Sequence, residues 1–368
     1  MNKIKLFFKR GFHFVVNFFI ELLRIITFTK KNSFRYLKIK NFIVSLFTIL
    51  VRPIAKKFYP LDWEKTSSAV EKKYTNLAGS DNHFKMLDGK KGNKLNWQVV
   101  SDFIKEKEKI EKLCYVDNEV STISPNGYSD KRAKEFNDII SKFEFKNILE
   151  VGAGELSFLS GVVEKFGNKV DYYALDLSLN RLYQGRKEFN KKFNIDVKLC
   201  KVNAIKLPYP NNYFDLVYSS HCLEHMPYDY QAAIKEMVRV AKNVVILIEP
   251  TYELGTFSQK LRMRAHDYVR GIPGFIKKLK NAKLINFKII GTGSLFNRSA
   301  IHIIKVKKNK IKPLNKKDFQ YVCPLCKKKL IQHKYYYKCK GCEKIYLVFD
   351  GIPIFDFNYS FFIGKKYN

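Results

Sequence analysis

The stretch ILEVGAGELSFLSG, residues 148–161, decides the fold. An apolar run closes on Glu150 and Val151, Gly152 and Gly154 stand two apart, and an apolar helical pattern begins after them. That order reads as strand, tight glycine turn and helix, an arrangement that holds a nucleotide-like group against a helix N-terminus. Further apolar runs follow at Val170–Leu175, Val197–Val202, Phe214–Tyr218 and Val244–Ile248. Helical stretches lie between several of them. In the clearest, Ile234, Met237, Val238 and Ala241 fall at i, i+3, i+4 and i+7. Strands alternating with helices predict an α/β fold with a doubly wound, mainly parallel sheet. Phe287–Ile290 and Ala300–Val306 read as a closing hairpin.

The glycine turn is not a dinucleotide fingerprint, because Ser157 stands where a third glycine would fall. Glu155 opens the helix, and a carboxylate there would repel a pyrophosphate. A P-loop is excluded by the lack of Gly-Lys-Ser/Thr. A cationic, phosphate-free cofactor suits these residues. S-adenosylmethionine (SAM) carries a sulfonium and an amino group, which Glu150 would attract. Asp176, 22 residues after Gly154, would accept hydrogen bonds from both ribose hydroxyls. A competing role for this segment is helix capping, with Ser178 as the cap.

Four blocks, ILEVGAGE, YALDLSLNRL, VNAIKLPYPNNYFDLVYSSHCLEHM and NVVILIEP, stand in one order from about 145 to 306. Together they resemble a class I SAM-dependent methyltransferase, which implies a seven-stranded, Rossmann-like sheet. The resemblance implies Glu150, Gly152 and Gly154 at the methionine end, Asp176 at the ribose, Asn203 and Ala204 near the adenine, and Ser219 beside the methyl group. Asn203 replaces a common Asp, so a charge is lost while adenine contact survives.

Methyl transfer from a sulfonium needs alignment and a dry site, and a base where the acceptor is a hydroxyl. His221, Glu224 and His225 follow the fourth strand. On a helix, 221 and 225 would share a face, and His has a suitable pKa to act as base. The competing reading is that these histidines only pack the helix. The absence of an Asp/Asn-Pro-Pro-Tyr/Phe motif tilts against adenine-amino and glutamine-amide acceptors.

CPLC at 323–326 and CKGC at 339–342 form CxxC-x12-CxxC, spacing that brings four thiolates to one tetrahedral Zn2+. Cys323, Cys326, Cys339 and Cys342 are the expected ligands. With YLVFDGIPIFDF at 346–357, the segment resembles the small zinc-ribbon activator subunit of tRNA and protein methyltransferases, which implies a structural metal. The expected organisation is therefore a basic amphipathic helical segment at 1–60, a helical lead-in or cap at 61–140, the methyltransferase domain at 141–307 and the ribbon at 319–357.

Net charge is +34, from 68 Lys+Arg against 34 Asp+Glu, and favours anionic partners. Residues 1–60 hold 13 Lys/Arg, one acid (Glu21) and 13 aromatics. Their longest charge-free runs, Gly11–Ile20 and Asn41–Val51, fall short of the roughly 20 residues a span needs. The expectation is a cytoplasmic enzyme, peripheral on the inner membrane surface, methylating a lipid or glycan intermediate. An RNA methyltransferase and a non-catalytic binding module are the alternatives, with nucleic acid as a partner in the first.

Overall fold

The computed structural model describes residues 39, 42–47, 49–50, 112–116, 119–123, 128–265, 267–290, 298–307, 319–356 and 360–362. Most of the basic segment at 1–60, and with it the membrane-binding expectation, lies outside them. So do residues 308–318.

A hairpin of β1 (Lys112–Val116) and β2 (Glu119–Ile123) precedes α1 (Tyr128–Ile140). Then come β3 (Asn147–Val151), α2 (Ser157–Phe166), β4 (Asp171–Asp176), α3 (Leu179–Lys192), β5 (Val197–Lys201), β6 (Phe214–Ser220), α4 (Tyr230–Val240) and β7 (Ala241–Pro250). Two helices, α5 (Phe257–Ala265) and α6 (Ile272–Lys277), lead to β8 (Ala282–Ile289) and β9 (Ser299–Val306). The seven-stranded sheet has the order β5-β4-β3-β6-β7-β9-β8. Strands β3 to β7 are mutually parallel, whereas β9 runs antiparallel to both β7 and β8. This is the Rossmann-like methyltransferase sheet, with the expected closing hairpin.

All five residues of β3 are buried, as central strands covered on both faces require. Ile148, Tyr172, Leu199 and Leu216 face a layer built by α1, α2 and α3. Leu149, Tyr173, Cys200 and Val217 face the opposite layer, with α4 and α6. In the first layer Phe136 of α1 stacks against Tyr218 at 4.7 Å and Phe158 at 5.4 Å between centroids. The packed unit therefore includes α1, which the sequence reading placed in a separate lead-in.

No helix joins β5 to β6; residues 202–213 connect them directly. The second face beneath β4 and β5 is covered instead by the C-terminal segment. That segment holds β10 (Leu330–Gln332), β11 (Tyr336–Cys339), β12 (Lys344–Phe349), β13 (Ile352–Pro353) and β14 (Ser360–Phe362). Phe319, Tyr321, Tyr337 and Phe355 form one aromatic cluster with Tyr173, Tyr209 and Tyr213. Ile354 bridges Lys201 in parallel, and the Phe355 N–H donates to the Lys201 carbonyl at 2.8 Å. The Lys201 ammonium meets the Asp356 carboxylate with both side chains buried. The C-terminal segment thus pairs with the β5 edge at Lys201.

Candidate active site

The cleft opens at the carboxyl ends of the parallel strands, where open α/β sheets bind ligands. Its cavity volume is about 80 Å³, and it is open to solvent. Its walls are Gly152, Leu175, Asp176, Leu177, Arg181, Val202, Asn203, Ala204, His221, Cys222, His225 and Met226. Six residues expected at the site line it: Gly152, Asp176, Asn203, Ala204, His221 and His225.

The glycine turn is shaped by close approach. Gly152 and Gly154 have φ of 79° and 53°, and a Cβ on Gly152 would fall 2.4 Å from the Cys222 sulfur. Leu156 adopts the same left-handed region, φ 61°, a conformation costing a side-chain-bearing residue roughly 1–2 kcal/mol. Its complete burial offsets that cost. The turn's donors are consumed within the chain. Gly152 and Ala153 donate to the Leu175 carbonyl, each at 2.9 Å, and Leu156 donates to the Ala153 carbonyl. Gly154 donates to Asp176 Oδ2 at 2.9 Å. Little of an N–H cradle is left for a phosphate, the usual ligand of such turns.

Asp176 is 7% exposed, and its second oxygen accepts the Ser178 N–H at 2.8 Å. It ties the end of β4 to both flanking loops. Ser178 caps α3 through the Arg181 N–H, so capping and the Asp176 carboxylate coexist. Arg181, which the sequence reading passed over, holds Glu155 in a bidentate pair at 2.6 and 2.5 Å. That pairing compensates the Glu155 charge, so the expected repulsion of a pyrophosphate by Glu155 is offset. Discrimination against phosphate falls instead to Asp176 and the spent N–H groups.

Three expected site residues sit away from the cleft wall. Glu150 is buried and accepts the Tyr218 hydroxyl at 3.0 Å; burial, with a smaller contribution from Asp176, pushes its carboxyl up to about 8. Gly154 faces Asp176 and the Arg181 guanidinium. Ser219, expected at the methyl group, is fully buried and donates to Glu249 Oε1 at 2.8 Å. The next residues on that loop, His221 and Cys222, face the cleft in its place.

No helix spans 221–225. His221 has φ 55°, and Leu223–His225 form one 3-10 turn. The histidines are brought together by Glu224 rather than by a helical face. His221 Nδ1 lies 3.3 Å from Glu224 Oε2, and His225 Nε2 lies 3.2 Å from Oε1. Burial lowers the His221 pKa, which keeps its ring neutral. Burial would raise the Glu224 carboxyl, but its two imidazole partners outweigh this and hold it low. A connection running from 251 to 281 closes this side. The Val269 N–H donates to the Glu224 carbonyl, and Tyr268 meets His225 edge-on at 5.7 Å.

Glu249, at the end of β7, also escaped the sequence reading, although it stands in one of the four blocks. It is fully buried and accepts from the Ser219 hydroxyl and from the N–H groups of Cys222 and Glu224. Burial first, and Glu224 second, push its carboxyl up to about 8. The only signal was an acid ending an apolar strand.

The four cysteines converge as expected. Their sulfurs lie within 4.8 Å of one another, at 3.6 Å for Cys323–Cys342 and 3.3 Å for Cys326–Cys339. Zn–S bonds of ~2.3 Å place tetrahedral sulfurs ~3.8 Å apart, so the four thiols fit one such ion with small adjustment.

Residues 149–248 match the family described as methyltransferase domain. A demethylmenaquinone methyltransferase of a Geobacillus species is 35% identical over 97 residues, 26% of this chain and 41% of that protein. Its counterpart in Listeria welshimeri is 34% identical over 96 residues, 26% of this chain and 40% of that protein. The chain thus spans about two fifths of the length of these curated relatives. Magnesium protoporphyrin IX methyltransferase from Synechocystis PCC 6803, solved with bound SAH, aligns at 13% identity and a TM-score of 0.42, covering 57% of this chain and 99% of that one. Among the described residues no helix is long and apolar enough to cross a membrane.

The buried carboxyl of Glu249 gives a testable pH dependence. Its folded pKa lies above the ordinary value, so the folded chain binds more protons than the unfolded chain between about pH 4.5 and 8. Its contribution to stability is fully present below that window and is lost as pH rises through it. Glu249→Gln should reduce the fall in stability by up to ~1.4 kcal/mol per pH unit, read from urea midpoints at pH 5, 6, 7 and 8. An unchanged slope would refute the shift.

Proposed function

We propose that this chain is a SAM-dependent methyltransferase. One observation carries the reading. Four turn residues donate their N–H groups within the chain, and Asp176 presents a carboxylate beside them. Such a cleft suits a cationic nucleoside without phosphate. Asp176 would take the ribose hydroxyls, Asn203 and Ala204 the adenine side, and Gly152 would allow close approach of the methionine portion. SAM, when bound there, supplies an activated methyl group. His221 and His225 line the same cleft, with Tyr268 against His225, and would take the acceptor's proton. Ser219 and Glu150 would act indirectly, through Glu249 and Tyr218.

The favoured acceptor is a lipid or glycan intermediate at a membrane surface. Support comes from the basic, aromatic-rich segment at 1–60 and from relatives named for a quinone acceptor. A second reading, RNA, is favoured by exposed Lys328, Lys329 and Lys340, and by Lys334 over the ring of Tyr335, which is 65% exposed. The ribbon would hold one structural Zn2+ on Cys323, Cys326, Cys339 and Cys342, with no position open for catalysis.

Asp176→Asn keeps the side chain's shape and removes its charge. Hydrogen bonds to a charged group are worth about 1.5–3 kcal/mol each, so SAM affinity should fall at least ~10-fold by titration calorimetry. Equal affinity would end the cofactor assignment. Labelled SAM incubated with the chain and a cell extract should place label in the lipid or glycan fraction; label in RNA would hand the acceptor to the second reading. Metal analysis of protein purified without added zinc should give one zinc per chain, and chelation should lower the melting temperature of the whole sheet, because the ribbon covers its β4–β5 face. Titratable thiols with no metal would overturn that assignment.

A further inference from the structure

We propose that the outward face of the ribbon sheet docks on an anionic membrane surface. Neither the activity of the cleft nor the segment at 1–60 is needed for it.

Strands β10, β11 and β12 are antiparallel, and burial alternates along β11 and most of β12. Leu330, Tyr337, Cys339 and Tyr346 point inward and belong to the core shared with the large sheet. Their neighbours along each strand therefore point outward. Register sets those outward residues in rows. Ile331 stands opposite Lys338, and Lys338 opposite Ile345. In the next row Tyr336 stands opposite Leu347, and Phe349 follows two residues later on the same side of β12. Directly opposed side chains on one face lie about 5 Å apart, so these residues form one surface. Ile331 is 36% exposed, Leu347 41% and Phe349 51%. An antiparallel sheet that turns one face to water ordinarily makes that face polar. An apolar centre on such a face marks a surface that meets a partner.

Charge selects the partner. Residues 319–356 hold seven lysines and three acids. Two of the acids are committed inward, Asp350 to Arg186 of α3 and Asp356 to Lys201 of β5. Lys329 and Lys340, whose backbones meet at 3.3 Å, lie at one end of the face. Lys338 stands at its centre, and Lys334 lies in the turn before β11 at the other end. Cations around an apolar centre match a bilayer: the apolar side chains enter the headgroup boundary while the ammonium groups meet anionic lipid. A second copy of this face would repel the first by the same charges. RNA shares the charge, but single strands are held by stacking bases on open rings. Ile331 and Leu347 offer no ring, Tyr336 is already stacked on His333 at 4.4 Å, and Phe349 meets Tyr183 edge-on at 5.8 Å.

Leu347→Trp in the full chain puts an indole reporter on this face, against a wild-type background of two tryptophans. The probes are vesicles of phosphatidylcholine containing phosphatidylglycerol, with phosphatidylcholine alone as the neutral control. At low salt the chain should float with the anionic vesicles, and the added emission should shift to the blue and be quenched by lipids brominated in the acyl chain. Neutral vesicles should give neither effect. Each lysine near such a surface is worth about fivefold in partitioning, so Lys334→Gln, Lys338→Gln and Lys340→Gln together should weaken it about 100-fold. A chain that floats while the added indole stays in water docks by another surface, which would overturn the proposal. So would a chain that does not float, equal effects on neutral vesicles, or unchanged partitioning of the triple variant. Quenching of the indole by a single-stranded oligoribonucleotide, with none by the vesicles, would hand this face to RNA instead. Titration of SAM into the same sample reads the cleft alone, so the methyltransferase reading and this one fail separately.

Discussion

The carboxyl group of Glu249 is the contact on which the chemical side of the cleft depends. It sits at the end of β7 with no exposed surface and gathers one hydroxyl and two backbone N–H groups from the neighbouring loop. Without it, the N–H groups of Cys222 and Glu224 would be buried at a cost of about 1–3 kcal/mol each. With it, the chain after β6 turns sharply at His221, and Glu224 reaches both imidazoles. Asp176 does the same on the opposite side, joining the glycine turn to the start of α3. Two strand ends thus each finish in a carboxyl group that organises the neighbouring loops. The cleft between them is preorganised by hydrogen bonds of this chain alone, which is what an alignment-limited reaction requires.

Much of the sheet was legible because its signal is local. Buried parallel strands read as apolar runs, and β3 to β7 appeared at nearly their observed positions. The glycine turn and Asp176 were legible for a similar reason, since few residue types tolerate φ near 79° or end a buried strand in an acid. What escaped depends on distant partners. Glu155 looked like a bare charge in sequence, but its charge is set by Arg181, 26 residues on. Ser219 looked like a cleft residue because the resemblance puts the end of this strand beside the methyl group, yet its side chain bonds Glu249. The histidines looked helical at i, i+4; Glu249 pins the intervening backbone into a left-handed residue and a 3-10 turn instead.

The ribbon shows the same limit at a larger scale. Its cysteine spacing announced a metal site, and the four sulfurs do converge. Its packing on the methyltransferase fold is what the resemblance implies; which face it covers could not be read, because that follows from something missing elsewhere. The connection from β5 to β6 contains no helix, so Tyr173, Tyr209 and Tyr213 need a cover, and Phe319, Tyr321 and Phe355 supply it. The Val322 N–H donates to the Pro208 carbonyl, and Lys327 pairs with Glu236 of α4. The segment is therefore built into the same core as the sheet.

That placement gives the ribbon a bearing on the cleft. Val202, Asn203 and Ala204, which form one wall, begin the same helix-free connection whose later residues the ribbon covers. Lys201, immediately before them, accepts the Phe355 N–H on its backbone and pairs with Asp356 through its side chain. Removing one partner of a buried ion pair costs about 3–5 kcal/mol, because the other charge is left without compensation. The cleft wall and the docked C-terminal segment are thus linked through one residue. In a chain carrying +34, Asp176 puts a carboxylate in the cleft where a cationic ligand would sit, and Lys201 anchors the wall of that cleft from behind.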